Sequence, residues 1–155
     1  MEAEMQAHDK AGTWALVPHS DVPAGRKIVG STWVFALKRD SDGKIKRWKA
    51  RICAQGFSQI EGSDYYATFA NTVSFDSIRL ALAHIAACEY NLHTVDVRTA
   101  YLNATLEDGL DLWMKQPRGF EVCDSSGKPM VCKLVKSIYG LKQSGRNWSA
   151  TLLAT

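Results

Sequence analysis

The sequence predicts an α+β fold, because strand-like alternation around a tight turn is followed by a stretch with helical spacing. From Ser31 to Leu37 large aromatic or aliphatic side chains alternate with smaller ones, and Asp42-Gly43 supplies the left-handed backbone that a hairpin turn needs. From Phe75 to Ala86 apolar residues recur every three or four positions, which is typical of an amphipathic helix. A length of 155 residues supplies one domain, or a piece of one, with a real core.

Composition and charge exclude several classes of protein. The net charge of +3 is too small to indicate nucleic-acid binding by itself. No apolar run approaches the roughly 20 residues of a membrane span, and the N-terminus is acidic, unlike a secretory signal. The four cysteines are far apart and form no C-x-x-C pair: Cys53, Cys88, Cys123 and Cys132. We therefore expect reduced thiols in a cytoplasmic or nuclear protein that is neither secreted nor membrane-bound.

Local signals predict the remaining elements. Gly12 ends a short helix at residues 1–10, and Ser74 or Asp76 can cap the helix at about residues 75–90. Strands are predicted at residues 13–18, 92–97 and 130–138, a loop at 57–72, and the start of a last helix at 147–153.

The predicted hairpin is strongly basic. Its arms and turn carry seven cations against two aspartates, a local charge of +5, namely Lys38, Arg39, Lys44, Lys46, Arg47, Lys49 and Arg51 against Asp40 and Asp42. Trp48 is interleaved with the cations, and basic side chains around an aromatic on a projecting ribbon suit phosphate contacts. Lysines also protect an exposed edge hairpin from aggregation, so both interpretations stay open at this point.

One carboxylate is a candidate metal ligand. Asp96 lies between Val95 and Val97 in a predicted strand, and Tyr101 follows at the start of a short predicted helix. Burying a carboxylate between valines costs several kcal/mol unless a cation or hydrogen bonds compensate it. A strand that ends in Asp before a helix can present that carboxylate to a metal. The alternative is a surface strand whose Asp96 faces water.

Six segments occur along the chain in an order that identifies a family. They are TWALVP at 13–18; WVF at 33–35 running to KAR at 49–51; AQGFSQ at 54–59 with GSDY at 62–65; VDVRTAYLN at 95–103; MKQPRGF at 114–120; and CKL at 132–134 with YGLKQ at 139–143. In this order the segments resemble the reverse transcriptase of copia-type LTR retrotransposons, an RNA-directed DNA polymerase.

The resemblance implies an incomplete right-hand polymerase. Residues 1–91 would be mainly fingers, with a basic fingers hairpin at residues 31–54. Residues 92–155 would be the first part of the palm, truncated before the family's Tyr-x-Asp-Asp hairpin. The helix at about residues 75–90 would then lie across a sheet that contains residues 92–97.

The resemblance also implies roles for named residues. Asp96 would be the catalytic carboxylate and, with the Val97 carbonyl, a ligand of Mg²⁺. The nucleotide-binding residues would be Lys38, Arg51, Tyr101, Tyr139 and Gly140. The contacts with nucleic acid would be Lys44, Lys46, Arg47, Lys49, Lys142 and Gln143. The implied partners are a deoxynucleoside triphosphate, an RNA or DNA template-primer, and the remainder of a polyprotein.

Three functions follow as alternatives. The first is a fragment of a retrotransposon polymerase that works by two-metal nucleotidyl transfer and is inactive as an isolated chain, because the sequence has no Asp-Asp pair. The second is a non-catalytic retroelement remnant with at most weak nucleic-acid binding. Ser144-Gly145, where the family has a small residue and proline, fits such a drifting copy. The third is an unrelated basic domain. Whether the chain is itself an enzyme stays open.

Overall fold

A four-stranded sheet and a separate two-stranded ribbon organise the computed structural model, which describes residues 1–107 and 109–154. The helices are α1 (Glu2–Ala11), α2 (Phe75–Ala87) and α3 (Ser144–Leu153). The strands are β1 (Trp14–Val17), β2 (Ile28–Val29), β3 (Ser31–Arg39), β4 (Ile45–Ala54), β5 (Leu112–Lys115) and β6 (Val131–Leu134). Short 3₁₀ helices occupy His19–Asp21, Gly56–Ser58 and Ala100–Asn103. The mixed helix and strand content agrees with the predicted class.

The four-stranded sheet has the order β1-β6-β5-β2. β6 pairs antiparallel with β1 and β5, and β2 adds to the other side of β5 in parallel. The strand predicted at residues 130–138 therefore exists but is shorter, ending at Leu134. The sheet contributes a large part of the hydrophobic core, where Met114, Cys132 and Leu112 are almost fully enclosed.

The core joins the sheet to the base of the ribbon. Ile52 and Ala54 at the end of β4 are buried in the same cluster as Ile138 and Leu141, which follow β6. Partly buried side chains close the cluster, namely Met5, Ala11, Trp14 and Trp33. The ribbon is thus anchored at one end and projects at the other.

The ribbon β3–β4 has one apolar and one cationic face. Directly paired residues of antiparallel strands lie on the same face. Leu37 pairs with Trp48 and Trp33 with Ile52, whereas the cationic face comprises the pairs Lys38–Arg47, Ala36–Lys49 and Val34–Arg51. The predicted hairpin is confirmed: Gly43 has φ +79°, and the Asp40 N–H donates to the Lys44 carbonyl at 3.0 Å. A bulge follows Lys38.

Helix α1 packs against strand β4 of the ribbon. It ends where the sequence predicts, at Gly12, whose φ of +61° is left-handed. Glu4 Oε1 accepts a hydrogen bond from the Ile52 N–H at 3.4 Å and lies 3.8 Å from His8 Nε2. Burial acts to raise the pKa of Glu4, but the hydrogen bond and charge of His8, the Ile52 N–H and the charge of Lys49 together lower that pKa below its usual value.

The strand predicted at residues 92–97 is wrong. These residues form no regular secondary structure, are exposed, and pair with no described strand. The Val-Asp-Val alternation favours an extended chain, but a strand also needs a hydrogen-bonding neighbour, and this segment lies beside neither edge strand of the sheet, β1 or β2, in a pairing register.

The predicted packing of α2 is also wrong. Of the two predicted N-terminal caps, the structure uses Ser74, whose Oγ accepts a hydrogen bond from the Ser77 N–H at 3.1 Å. The helix ends at Ala87 rather than at about residue 90, and none of its residues is buried, so it does not lie across a sheet. The last helix begins at Ser144, three residues before its predicted start. No helix within the described ranges is long and apolar enough to cross a membrane.

Candidate functional site

Three of the predicted nucleotide-binding residues meet at one place. Arg51 Cζ lies 5.5 Å from the centroid of the Tyr139 ring, within the range of a cation–π contact. The Tyr101 ring lies 4.9 Å from the Tyr139 ring, centroid to centroid, at an interplanar angle of 60°. All three side chains are half-buried. They come from β4, the turn after β6 and the 3₁₀ helix Ala100–Asn103, so the fold assembles residues that are distant in sequence. We refer to Arg51, Tyr101 and Tyr139 as the aromatic–arginine cluster.

Gly140 fixes the backbone beside this cluster. The Ala54 N–H donates to the Tyr139 carbonyl at 2.8 Å, which joins the turn to the end of β4. Gly140 has φ +88°, and a Cβ atom there would lie 2.1 Å from the Ala54 carbonyl oxygen. Only glycine fits such a close backbone approach in a left-handed conformation. The role of Gly140 in this structure is therefore to let the turn that carries Tyr139 contact the ribbon.

Arg51 retains an unused donor. Its Nε atom is buried and hydrogen-bonds to no atom of the described residues. A buried guanidinium N–H without an acceptor is costly, and an anionic oxygen is its best partner. The Nε atom itself is enclosed, so an anion beside the aromatic–arginine cluster would meet the solvent-facing part of the half-buried side chain.

The cations nearer the tip of the ribbon are exposed. Lys38, Arg39, Lys46 and Arg47 surround a concave region of about 420 Å³, and Lys44 lies in the turn. Lys49 is half-buried, near Glu4 of α1. Of the predicted nucleic-acid contacts of the ribbon, Lys46 and Arg47 thus share one exposed basic region with Lys38 and Arg39, whereas Lys49 lies nearer to α1.

Lys142 and Gln143, the other two predicted nucleic-acid contacts, have different environments. Lys142 is exposed, and its Nζ donates to the Tyr65 hydroxyl at 3.1 Å and lies 4.8 Å from that ring's centroid. Gln143 is 0% exposed and both ends of its amide are hydrogen-bonded, to Gln59 and to the Asp64 carbonyl. The predicted direct contact of Gln143 with nucleic acid is therefore wrong for this conformation, because no polar atom of the side chain is accessible.

Asp96 lies in an open position. It is exposed, and it makes no hydrogen bond or ion pair with the described residues, so the cost of burying a carboxylate between valines does not arise. With Val97 and Trp148 it borders a groove of about 380 Å³ between its own segment and α3. Between Asp96 and Tyr101, Thr99 has φ +50°, which is strained for a β-branched residue.

The residues around Asp96 do not by themselves form a polymerase metal centre. Mg²⁺ prefers octahedral oxygen coordination, and a two-metal site needs more than one carboxylate. Asp96 and the carbonyl of Val97 are the two oxygen donors assigned here, and no group of three His, Cys, Asp or Glu residues in the described parts of the chain is arranged to hold a metal. The local donor set does not fit the ion without further ligands.

Sequence reasoning missed the polar residues that hold the site together. Gln59 and Asp64 are nearly fully buried and bridge the segment after β4 to the turn after β6. Both lie within the family segments at residues 54–65, but a glutamine in a loop gives no local sign of burial. Their roles depend on contacts about 80 residues away, which periodicity does not reveal.

Comparisons with known proteins identify the family of this chain. The sequence profile of the family described as reverse transcriptase (RNA-dependent DNA polymerase) matches residues 11–155. The chain is 43% identical over 148 residues to the retrovirus-related Pol polyprotein from transposon TNT 1-94 of Nicotiana tabacum, a match that covers 96% of this chain and 11% of that polyprotein. It is 40% identical over 152 residues to the corresponding polyproteins from transposons RE1 and RE2 of Arabidopsis thaliana, covering 98% of this chain and 10% of each. No solved structure gives a significant match.

The chain spans about a tenth of the length of these relatives, which are large polyproteins. The profile match covers nearly the whole chain, and the relatives are Pol polyproteins of copia-type transposons. The resemblance predicted from the six segments is thereby confirmed, and this chain belongs to the reverse transcriptase (RNA-dependent DNA polymerase) family, as a fragment of the copia-type retrotransposon enzyme.

Proposed function

We propose that this chain supplies the incoming-nucleotide side of a right-hand polymerase, with the ribbon as the fingers and the Asp96 segment as part of the palm. The observation that carries the proposal is the aromatic–arginine cluster, which unites three residues from distant segments. Arg51, whose side chain is half-buried, offers its guanidinium charge to a triphosphate oxygen, and the rings of Tyr101 and Tyr139 offer an apolar surface to the sugar. Lys38 adds a second positive charge on the same face of the ribbon.

In this proposal the exposed cations of the ribbon bind the nucleic-acid backbone. Lys38, Arg39, Lys46 and Arg47 line a concave surface without an acidic residue among them. Such a surface neutralises phosphates without reading bases, so binding depends on salt rather than on sequence.

The metal chemistry belongs to the complete enzyme. Reverse transcriptases as a family use divalent metal ions. We assign Mg²⁺ as that ion and Asp96 with the Val97 carbonyl as ligands that require further carboxylates from the rest of the polyprotein. Mg²⁺ would supply electrostatic stabilisation of the transferred phosphoryl group. We place the protein in the cytoplasm or nucleus, where four free cysteines persist as thiols.

The test is the salt dependence of binding to a fluorescent single-stranded RNA. Reversing three exposed cations, Lys38→Glu with Lys46→Glu and Arg47→Glu, is expected to remove most of the affinity. It should also lower the slope of log K against log salt by about 2, since each phosphate contact on a single strand contributes about 0.7.

A matched control carries the same change in net charge elsewhere. Lys10, Lys27 and Lys128 are exposed and lie outside the ribbon. Their reversal to Glu is expected to leave the slope nearly unchanged. Equal losses in the two triple variants would show that only net charge matters and would contradict a defined binding surface.

A further inference from the structure

A buried amide pair connects two segments that flank the aromatic–arginine cluster. Gln59 Nε2 donates to Gln143 Oε1 at 3.0 Å, and Gln59 Oε1 accepts from the backbone N–H of Lys142 at 2.9 Å. Gln143 Nε2 donates to the Asp64 carbonyl at 2.9 Å. The Gln59 side chain is 5% exposed and the Gln143 side chain 0%, so both amides form their hydrogen bonds with protein atoms rather than with water.

The same turn is held from its other sides. The Ser144 hydroxyl donates to the Ile138 carbonyl at 2.6 Å, and Asn147 Nδ2 donates to the Ser137 hydroxyl at 3.0 Å. The Ser137 N–H donates to the Ala104 carbonyl at 2.8 Å, next to the 3₁₀ helix that carries Tyr101. These bonds fix the base of the turn, and the amide pair fixes its far side, where the chain returns from Tyr139 to α3.

Gln59 lies on the segment that leaves the ribbon. Gly56, three residues before it, approaches the turn so closely that a Cβ atom would lie 2.0 Å from the Gly140 carbonyl oxygen. The segment's other end is closed by Asp64, whose Oδ2 accepts from the Ile60 N–H at 2.8 Å. Loss of the pair would therefore free the turn relative to the ribbon, and Tyr139 relative to Arg51.

We propose that Gln59 and Gln143 are positioning residues for the nucleotide pocket: their amide pair holds the Tyr139 ring between Arg51 and Tyr101, and neither residue contacts nucleotide or nucleic acid itself. This inference rests on the proposed function, because it assigns the device that shapes the same pocket. A buried pair of amides is suited to positioning a neighbouring ring, because hydrogen bonds are directional. Only one arrangement of the two segments satisfies all of these bonds.

Two measurements on the full chain test the proposal. The first is the NOE between the rings of Tyr139 and Tyr101, assigned with single Tyr→Phe variants and recorded without ligand. The second is the affinity for dTTP in Mg²⁺ buffer. Gln59→Ala and Gln143→Ala are each expected to remove the NOE and to weaken dTTP binding about tenfold, ~1.4 kcal/mol. The double variant should be no worse than either single variant, because the pair acts as a unit.

The outcomes separate positioning from contact and from general stability. If Gln143 contacted the nucleotide, Gln143→Ala alone would weaken binding and Gln59→Ala would not, which would overturn the proposal. Persistence of the NOE in both single variants would also overturn it. If wild-type protein binds no dTTP, the proposed function fails, while the NOE still decides whether the pair positions Tyr139.

Gln116 provides a matched control. It is a buried glutamine whose amide makes three hydrogen bonds of 2.8 Å to Val122 and Met130, away from the aromatic–arginine cluster. Gln116→Ala is expected to lower the melting temperature and to keep the NOE, and loss of the NOE there would overturn the proposal as general loosening. If the alanine variants do not fold, Gln59→Met keeps the side-chain volume but removes the amide without burying a charge, and the same loss of the NOE is expected.

Discussion

At Gly140 the turn that carries Tyr139 passes so close to β4 that no side chain fits. A Cβ atom would lie 2.1 Å from the Ala54 carbonyl oxygen, and φ is +88°. We expect Gly140→Ala to destabilise the protein by about 3 kcal/mol or more, because backbone strain and overlap add. Chemical denaturation monitored by tryptophan fluorescence measures the change.

Gly127 separates the two contributions. Its φ is +78°, but a Cβ atom there meets nothing within 4 Å. Gly127→Ala should cost only the conformational term, about 1–2 kcal/mol. Equal losses at Gly140 and Gly127 would mean that the contact with Ala54 contributes nothing.

The four cysteines differ in reactivity because their burial differs. Burial raises the pKa of Cys132 to about 12, so almost no thiolate is present at neutral pH. Cys53 is half-buried, and burial, opposed by the charge of Arg51, raises its pKa as well. Cys88 and Cys123 are exposed.

Alkylation by iodoacetamide at pH 8 is therefore expected to occur rapidly at Cys88 and Cys123, slowly at Cys53, and at Cys132 only after unfolding. Peptide mass spectrometry over time distinguishes the four sites. Rapid labelling of Cys132 in the native protein would contradict the core placement of β6.

Single residues also show why part of the site could be predicted and part could not. The resemblance predicted Arg51, Tyr101 and Tyr139, and the fold brings their side chains together. Gln143 was predicted to face nucleic acid, yet it is buried by Gln59, a partner 84 residues away. Local sequence carries charge and aromatic character, but the burial of a neutral amide depends on contacts that only the folded chain defines.

At the scale of elements, the sequence predicted correctly those helices and strands whose contacts lie close by in the chain. The hairpin of β3 and β4 needs only the Asp-Gly turn and its own two arms, and α1 needs only its spacing and Gly12. The strand at residues 92–97 failed because pairing depends on a neighbour elsewhere in the chain. Spacing predicted that α2 is a helix, but it does not specify what covers the helix.

The contact between α1 and β4 is expected to weaken in acid. The pKa of Glu4 is lowered in the folded state, so the carboxylate stabilises the fold above its ordinary pKa of 4.5 and loses that effect as pH falls through the folded-state value. Glu4→Gln should lower the melting temperature at pH 7 by at most about 2–4 °C, since a partly exposed pair contributes little.

The difference between Glu4→Gln and wild type should shrink below about pH 4.5, as thermal melts at several pH values would show. Glu2→Gln, an exposed substitution in the same helical turn, provides the control and should match wild type throughout. A difference for Glu4→Gln that persists unchanged at pH 3 would argue against the ionised carboxylate as its cause.

At the scale of the whole molecule, apolar surface is unevenly distributed. The sheet and the base of the ribbon form the core, whereas Phe75 and Leu80 of α2 and Val95 beside Asp96 are mostly exposed. The chain spans about a tenth of its relatives. The open part of the molecule is thus α2 and the segment around Asp96, whereas β5 and β6, which the resemblance also places in the palm, belong to the core.

The isolated chain is expected not to polymerise DNA. The chemistry needs two metal ions roughly 3.5–4 Å apart, each bridged by carboxylates and substrate phosphates. Asp96 is an isolated exposed carboxylate, and the described residues hold no cluster that would add the missing ligands. Arg51 and the two tyrosines can still hold a triphosphate, but binding without metal-ligand geometry leaves the primer hydroxyl unactivated. A primer-extension assay with an RNA template, in Mg²⁺ or Mn²⁺, should therefore show no incorporation above background. Incorporation that disappears in Asp96→Asn would contradict this expectation, because it would mean that one carboxylate suffices.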